Sequence, residues 1–302
     1  MRILLTGGTG LIGRALCRHW HEQGHELIVW SRSPQRVPSL CSGARGIGRL
    51  RDLDGAAPLD AVVNLAGASI AGRPWTASRR KVLWSSRVDL TRELVAWLGD
   101  QPSRPAVLLS GSAVGWYGDG EQRHLDENSP ASRADFGSKL CVAWEQEAER
   151  ARQLDMRVVL IRTAPVLAPQ GGFLARLRLP FSLGLGGRLG RGEQWMPWIH
   201  LEDEVGLIDF LLQREDCVDP YNACAPQQVR NVEFTQALAQ ALRRPAVLPV
   251  PAWALRLALG DMSVLLLGGQ RLAPRRALEA GYPFRHPRLD EALADVLHRT
   301  GK

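Results

Sequence analysis

A glycine-rich turn near the amino terminus constrains the fold of this 302-residue chain more than any other feature. The apolar run at residues 3–5 passes directly into TGGTGLIG at residues 6–13, and an amphipathic helical pattern follows. Glycines at these positions let the backbone turn tightly and approach a pyrophosphate, which the amides and dipole of a helix N-terminus stabilise. A dinucleotide-binding motif requires a strand before the turn and a helix after it. We therefore expect the chain to bind a dinucleotide.

The end of the second expected strand indicates which dinucleotide this is. Residues 26–30, ELIVW, end at Ser31 and Arg32, and no carboxylate occurs between Leu27 and Asp52. A site that prefers NAD usually places Asp or Glu here to bind the ribose hydroxyls. Arg32 instead offers a charged fork that suits a 2′-phosphate, with Ser31 as a nearby donor. Arg32 can also be read as one of many surface arginines, but the missing acid and the added base both favour NADP(H).

Composition excludes several classes of function. The net charge is +7, but the arginines are scattered without a dense basic block, so we expect no nucleic-acid partner. The five cysteines form no CxxC pair and no ligand cluster, which fits a reducing cytosol. The apolar run at the start of the chain is too short to be the apolar region of a signal peptide. No apolar run is long enough to span a bilayer. We predict a cytoplasmic protein with no membrane partner.

The rest of the chain alternates between strand and helix patterns, which predicts a doubly wound parallel α/β Rossmann sheet with right-handed crossovers. Residues 1–166 are expected to form this domain, and residues 167–302 a smaller α/β substrate lobe interleaved with it, with a helical module at about 249–298. Further strands are expected at 60–67, 105–112, 156–163, 218–223 and 246–249. Further helices are expected at 76–98, 134–154, 202–214, 231–243 and 288–297.

Several motifs resemble those of the extended short-chain dehydrogenase/reductases. They are TGGTGLIG, NLAG at 64–67, SGSAVGWYG at 110–118 and WIHLEDEV at 198–205. More narrowly, the chain resembles an atypical subgroup of epimerase family proteins, sometimes called SulA-like. Motifs shared with that subgroup lie at 73–88, 135–145, 184–200 and 249–262, and residues 269–285 resemble its C-terminal module of unknown function. The resemblance covers almost the whole chain.

The resemblance implies a set of cofactor contacts. It places the pyrophosphate on the glycine-rich turn, the 2′-phosphate on Ser31 and Arg32, and the adenosine side near residues 65–67. Arg87 matches a position from which the central helix of the family reaches the cofactor, although a solvated helix face is an equal alternative. Backbone at Pro165 and Val166 would lie against the nicotinamide. The other implied contacts are Gly7, Thr9, Gly10, Leu11, Ile12, Leu65, Ala66 and Gly67.

The catalytic pattern of the family is only partly present. Members typically use Ser or Thr with Tyr-x-x-x-Lys, in which the lysine lowers the pKa of the tyrosine. Ser112 matches the serine and Lys139 the lysine, but Asp135 stands where the tyrosine would be. Tyr117 is one substitute for that phenol, although its ring can equally pack against the sheet edge. Otherwise Asp135 or Lys139 handles the proton, or the protein binds NADPH without ordinary turnover.

Other candidates have simpler interpretations. His200 precedes an expected helix and is read as a capping or packed histidine rather than a cleft residue. Trp195 and Trp198 are read as packed rings rather than a stacking platform. The acids at residues 202–204 suit the dipole of a helix first turn, so we expect no metal site.

Two functions follow from these observations. The first is an NADP(H)-dependent oxidoreductase or epimerase that acts on a small polar substrate, sugar- or nucleotide-linked, with Ser112 polarising the substrate oxygen. Lys139 and Tyr117 would then assist proton transfer. The second is a non-catalytic NADPH-binding sensor or interaction protein. The helices at 76–98 and 134–154 resemble those through which family members dimerise, which makes a homodimer one option.

Overall fold

A seven-stranded parallel sheet forms the centre of a computed structural model that describes residues 1–298. Successive strands of the chain are added outward from β1 on one side and outward from β4 on the other, so the strand order reverses between β1 and β4. In open sheets of this kind, ligands bind beyond the carboxyl ends of the strands at such a point. In spatial order the strands are β3 (Arg45–Ile47), β2 (Glu26–Trp30), β1 (Arg2–Thr6), β4 (Ala61–Asn64), β5 (Val107–Ala113), β7 (Arg157–Thr163) and β10 (Asp219–Ala223). Two small sheets pair β6 (His124–Leu125) with β11 (Arg271–Leu272), and β8 (Val166–Leu167) with β9 (Ile199–His200).

Helices cover both faces of the sheet, as the alternation of the sequence predicts. The helices are α1 (Leu11–Glu22), α2 (Val37–Leu40), α3 (Ala77–Trp84), α4 (Leu90–Asp100), α5 (Phe136–Glu149), α6 (Leu174–Ser182), α7 (Leu201–Gln213), α8 (Asn231–Leu242), α9 (Ala252–Leu259), α10 (Val264–Leu267), α11 (Arg275–Glu279) and α12 (Leu289–His298). Ile3 and Leu5 pack in the core under α1 and α7, whereas Leu4 packs in the core under α4 and α5. The predicted doubly wound sheet is therefore confirmed.

The two parts of the chain interleave. Strand β10 and helix α7 follow residue 166, yet β10 pairs with β7 in the central sheet and α7 packs on α1. A separate apolar core, which includes Phe181, Phe234 and Leu293, joins α6, α8 and α12 into the smaller lobe. The division at residue 166 stays a prediction.

Two local expectations change. No strand forms at 246–249; a single bridge joins Leu189 to Val250, and Pro245 and Pro249, which have no amide donor, flank the segment. The helix expected at 76–98 is interrupted by a π-helical turn at Ser85–Asp89. Helix α5 ends at Glu149 and continues as a 3₁₀ turn over Arg150–Leu154. None of the helices that residues 1–298 form is long and apolar enough to cross a bilayer.

Candidate cofactor site

The glycine-rich turn is pressed between β4 and α1. Gly7 has φ +72°, and a Cβ there would lie 2.5 Å from the Leu65 carbonyl oxygen. A Cβ on Gly13 would lie 2.3 Å from the Gly7 carbonyl oxygen. Because both neighbours are backbone atoms, neither glycine can be replaced without moving the turn.

Helix α1 begins with free backbone donors. Its N-cap is Gly10, which has no side chain to accept from the first amides, and its first turn carries no acid. The first four amides of a helix have no partner within the helix, so those near Leu11 and Ile12 are available to an anion. Thr9, Leu11 and Ile12 are partly exposed and Gly10 is exposed. The sequence-predicted pyrophosphate residues therefore lie together at the carboxyl edge of β1.

A buried hydrogen-bond chain holds the segment after β4. The Thr6 hydroxyl donates to Asn64 Oδ1 at 2.7 Å and accepts from the Ala66 amide at 3.0 Å. Asn64 in turn donates to Thr91 at 2.8 Å and to Ser110 at 3.1 Å. Leu65, Ala66 and Gly67 are thereby fixed beside the glycine-rich turn, with Gly67 exposed.

Arg32 is exposed at the end of β2. The Ser31 hydroxyl accepts from the Ser33 amide at 3.2 Å, which keeps Ser31 in this turn. The nearest following acid, Asp52, accepts from the backbone amides of Gly48 and Arg49. Within residues 1–298 no carboxylate pairs with Arg32, so its guanidinium is available to an anion.

The π-helical turn Ser85–Asp89 positions Arg87. Arg87 Nη1 donates to the Ala68 carbonyl at 3.0 Å, and the Ser86 hydroxyl accepts from the Ala68 amide at 3.0 Å. A Cβ on Gly67 would lie 2.7 Å from Arg87 Cζ, so this glycine lets the guanidinium lie against the segment that follows β4. π-Helical turns are frequent at functional sites because they redirect side chains.

The Arg87 guanidinium has no carboxylate partner among the described residues. Burial, together with the neighbouring Arg79 charge, lowers its pKa to about 10. No carboxylate of the described chain stabilises its charge. Arg79 donates to the Ser69 carbonyl, but its buried Nε has no hydrogen-bond partner. A desolvated arginine beside a second arginine suits a bound anion. Arg79 was missed in the sequence, although residues 61–88 contain five cations and no acid.

Ser112 and Tyr117 belong to one buried polar network. The Ser112 hydroxyl donates to Glu145 Oε1 at 2.5 Å, and Arg162 binds both oxygens of Glu145 at 2.9 Å. Arg162 also donates to the Tyr117 hydroxyl at 2.9 Å, and that hydroxyl donates to Asn222 at 2.7 Å. Ser112 is 4% and Tyr117 2% exposed. Burial raises the pKa of Tyr117 to about 12.

Lys139 lies apart from this network, exposed in the first turn of α5. Asp135, at the family's tyrosine position, is the N-cap of that helix and accepts from the Ser138 amide at 3.0 Å. Its carboxylate therefore satisfies a backbone donor that a phenol would leave unpaired. Sequence reasoning missed Glu145 and Arg162, which join Ser112 to Tyr117.

Glu204 is a buried acid beneath the end of β7. It accepts from the Thr163 hydroxyl at 2.8 Å, and its other oxygen has no hydrogen-bond partner. Burial raises its pKa to about 8, so it is largely protonated at neutral pH. Val166, the expected nicotinamide contact, follows in β8 and is 8% exposed. The sequence indicated only that Glu204 suits a helix first turn.

Glu204 makes stability depend on pH. The folded protein holds a proton on Glu204 from its ordinary pKa of 4.5 up to about 8. The contribution of Glu204 to stability is therefore largest below pH 4.5 and falls across this window, by about 1.4 kcal/mol for each pH unit. We expect Glu204→Gln to raise the urea concentration at the unfolding midpoint, relative to wild type. This increase should be larger at pH 8.5 than at pH 5. Glu291→Gln, in the exposed first turn of α12, is the control; an equal response of both variants would contradict this assignment.

His200 is the N-cap of α7 and is 1% exposed. Its Nδ1 accepts from the Glu202 amide at 3.1 Å, and its Nε2 lies 3.2 Å from Asp295. Its ring stacks on His286 with centroids 3.7 Å apart. His200, Glu202 and His286 place possible metal ligands within 4.8 Å of one another. Because Nδ1 accepts a hydrogen bond, the ring proton is on Nε2, which makes His200 a poor metal ligand.

The two tryptophans are packed. Trp198 is 1% exposed in the core of the smaller lobe. Trp195 lies between Arg230 and Arg271, whose Cζ atoms are 4.9 and 4.6 Å from its ring centroid. Each ring has protein neighbours, in keeping with the interpretation from the sequence.

Comparison with known proteins identifies two family models. The NAD dependent epimerase/dehydratase family matches residues 3–224, and a domain of unknown function, DUF1731, matches residues 250–296. Epimerase family protein Mb2239 of Mycobacterium bovis is 39% identical, over 99% of this chain and 98% of its own length. Epimerase family protein SDR39U1 of Mus musculus is 36% identical, over 98% of this chain and all of its own length.

Solved structures agree with these matches. The crystal structure of human epimerase family protein SDR39U1 with NADPH has a TM-score of 0.90 and 34% identity, over 99% of each chain. A nucleoside-diphosphate sugar epimerase from Corynebacterium glutamicum has a TM-score of 0.78 and 29% identity, over 98% of this chain and 58% of its own.

Proposed function

Because the chain belongs to the NAD dependent epimerase/dehydratase family, we propose that it binds NADP(H) across the carboxyl edge of β1 and β4. The cofactor would supply a hydride donor or acceptor. The observation that carries the proposal is the turn held by Gly7 and Gly13 beneath uncapped α1, which offers amides to a pyrophosphate. The NADPH named for the human relative supports the same cofactor.

Charge within the site favours an anionic cofactor. Arg87 is desolvated without a carboxylate partner, and Arg32 is exposed without one in the described chain. In this proposal Arg32 and Ser31 hold the 2′-phosphate, while Arg87 contacts the cofactor from the π-helical turn. Gly7, Thr9, Gly10, Leu11 and Ile12 bind the pyrophosphate. Leu65, Ala66 and Gly67 lie against the adenosine side, and Val166 lies against the nicotinamide.

Arg32 tests the preference for NADP(H). Arg32→Ala removes a charge-assisted contact worth about 1.5–3 kcal/mol, so NADPH affinity should fall by about 10- to 150-fold while NADH affinity hardly changes. Calorimetric titration of both cofactors measures this difference. Arg36→Ala removes another exposed arginine four residues away and should change neither affinity. Equal losses for both cofactors would refute the role of Arg32.

We further propose that the protein is an oxidoreductase or epimerase for a small polar substrate, sugar- or nucleotide-linked. Ser112, Tyr117 and Lys139 remain the catalytic candidates, and their surroundings divide their roles. The Ser112 and Tyr117 hydroxyls both donate within the buried network, so they would meet a substrate only when that network opens. Lys139 is exposed and needs no such change to exchange a proton.

A substrate panel tests this activity. NADPH oxidation is followed with carbonyl compounds and sugar nucleotides, for wild type, Ser112→Ala and Lys139→Met. A lower turnover rate in either variant supports the assignment. If wild type turns over a substrate and both variants do so at the same rate, the assignment is contradicted.

A separate observation supports a second function. Asp135 is the cap of α5 where the family's tyrosine would stand, which favours an NADPH-binding sensor without ordinary turnover. Affinity capture of partners with and without NADPH discriminates the two functions. Partners that change with NADPH, together with silence across the substrate panel, would support the sensor. Measurable turnover with cofactor-independent partners would refute it.

A further inference from the structure

Exposed apolar side chains concentrate on one part of the smaller lobe. Among the described residues, twelve large apolar side chains are exposed, and seven of them lie within residues 174–192 and 241–260. We call these seven the apolar face: Leu179, Leu183, Leu185, Val247, Leu248, Trp253 and Leu257. A cluster of this size marks an interaction surface rather than the scattered exposure that is normal for a protein surface.

The two segments lie side by side. The Leu248 amide donates to the Gly186 carbonyl at 3.1 Å, and the Val250 amide donates to the Arg188 carbonyl at 2.9 Å. The Gly190 amide returns a bond of 2.8 Å to the Val250 carbonyl. These bonds place residues 183–185 beside 247–248, and α9 begins just beyond them at Ala252.

Helix α9 extends the apolar face. Trp253 and Leu257 are four residues apart and therefore lie on the same side of the helix. They are 69% and 82% exposed, and Val247 in the preceding segment is 73% exposed. Side chains this exposed project from the surface, whereas the walls of a peptide-binding groove shelter one another.

The two segments that carry the apolar face contain basic residues, and the acids that flank them in sequence are Glu193 and Asp261. Residues 174–192 and 241–260 contain no acid. Within residues 1–298, none of the arginines in these segments forms an ion pair with a carboxylate. Six of those arginines are exposed: Arg176, Arg188, Arg191, Arg243, Arg244 and Arg256. The face therefore combines apolar projections with uncompensated cations.

This combination selects an occupant. A second copy of the chain is disfavoured, because a two-fold interface would bring the same arginines of both copies together. A polar polyanion such as a nucleic acid would leave the leucines and Trp253 in water. We propose that the apolar face docks on an anionic phospholipid surface, with Trp253 and Leu257 entering the interface and the arginines binding headgroup phosphates. Surface docking requires no spanning segment, although it departs from the sequence-based prediction of no membrane partner, and it does not depend on the proposed function.

Vesicle sedimentation of the full chain tests the proposal. Binding should be at least tenfold tighter to vesicles of equal phosphatidylglycerol and phosphatidylcholine than to phosphatidylcholine alone, and should weaken as salt rises. Arg243→Gln with Arg244→Gln should weaken binding about tenfold or more. Trp253→Ser with Leu257→Ser should also weaken it at least tenfold. Leu278→Ser, an exposed leucine on α11, is the control and should bind as wild type does.

Several outcomes would overturn the proposal. They are no binding to the anionic vesicles at low salt, equal binding by the Trp253/Leu257 variant, and preference for an acidic apolar peptide with no vesicle binding. Brominated lipid provides a second readout, since it should quench wild-type fluorescence more than that of Trp253→Phe. Thermal melting by circular dichroism confirms that each variant is folded.

Discussion

Gly13→Ala should bind NADP(H) about ten- to a hundredfold more weakly than wild type. The added Cβ would meet the Gly7 carbonyl oxygen at 2.3 Å, and a backbone atom cannot swing aside as a flexible side chain can. The turn must therefore shift away from α1, which displaces the amides that would hold the pyrophosphate. Calorimetric titration with NADPH gives the affinity, and a thermal melt shows how much folded protein remains.

Gly99→Ala provides the matched control. Gly99 lies inside α4, where a Cβ would meet only Leu154 side-chain carbons at 3.6 and 3.9 Å, an ordinary contact. Alanine is a better helix former than glycine, so this variant should be at least as stable as wild type with unchanged affinity. If Gly13→Ala binds NADPH as Gly99→Ala does, the turn does not hold the cofactor.

Glu145→Leu should lower the free energy of unfolding by about 3–5 kcal/mol. Arg162 is 3% exposed, and Glu145 is its carboxylate partner, through two bonds of 2.9 Å. Without Glu145 the guanidinium stays buried as an uncompensated charge, and the Ser112 hydroxyl loses its acceptor. Urea denaturation followed by circular dichroism measures the loss.

Two further variants distinguish the contribution of this buried ion pair to stability from that of an ordinary surface pair. Glu149→Gln, on the same helix, removes a half-exposed pair with Arg152 and should cost about 1 kcal/mol or less. Glu145→Leu with Arg162→Met removes both buried charges and should recover much of the lost stability. A double variant no more stable than Glu145→Leu would show that the buried charge is not the cause.

Local chemistry made the geometry of the glycine-rich turn predictable. The turn requires glycine at position 7, where φ is +72°, and at position 13, which lies against a carbonyl oxygen. Both requirements are visible in the eight consecutive residues 6–13. The sheet followed for the same reason, since several of its strands contain an unbroken apolar run, such as residues 158–161. Asp135 followed by Ser138 is likewise a local N-cap signal, although Asp135 was predicted only as a residue that could handle the proton.

The buried network around Ser112 and Tyr117 depends on contacts between distant residues. Glu145 binds both Ser112, 33 positions away, and Arg162, 17 positions away, so no spacing in the sequence reveals the network. Tyr117 meets Asn222 from 105 positions away. The π-helical turn that positions Arg87 is also invisible, because residues 76–98 read as one continuous helical pattern. The strand predicted at 246–249 was wrong because the apolar residues between Pro245 and Pro249 bond to residues 186–190 without forming a continuous ladder.

Isothermal titration of the wild-type protein tests the central claim, that the edge of β1 and β4 binds NADP(H). We expect heat from one site per chain, with NADPH binding more tightly than NADH because of Arg32. Folded protein that gives no heat with either NADPH or NADP⁺ would contradict the claim.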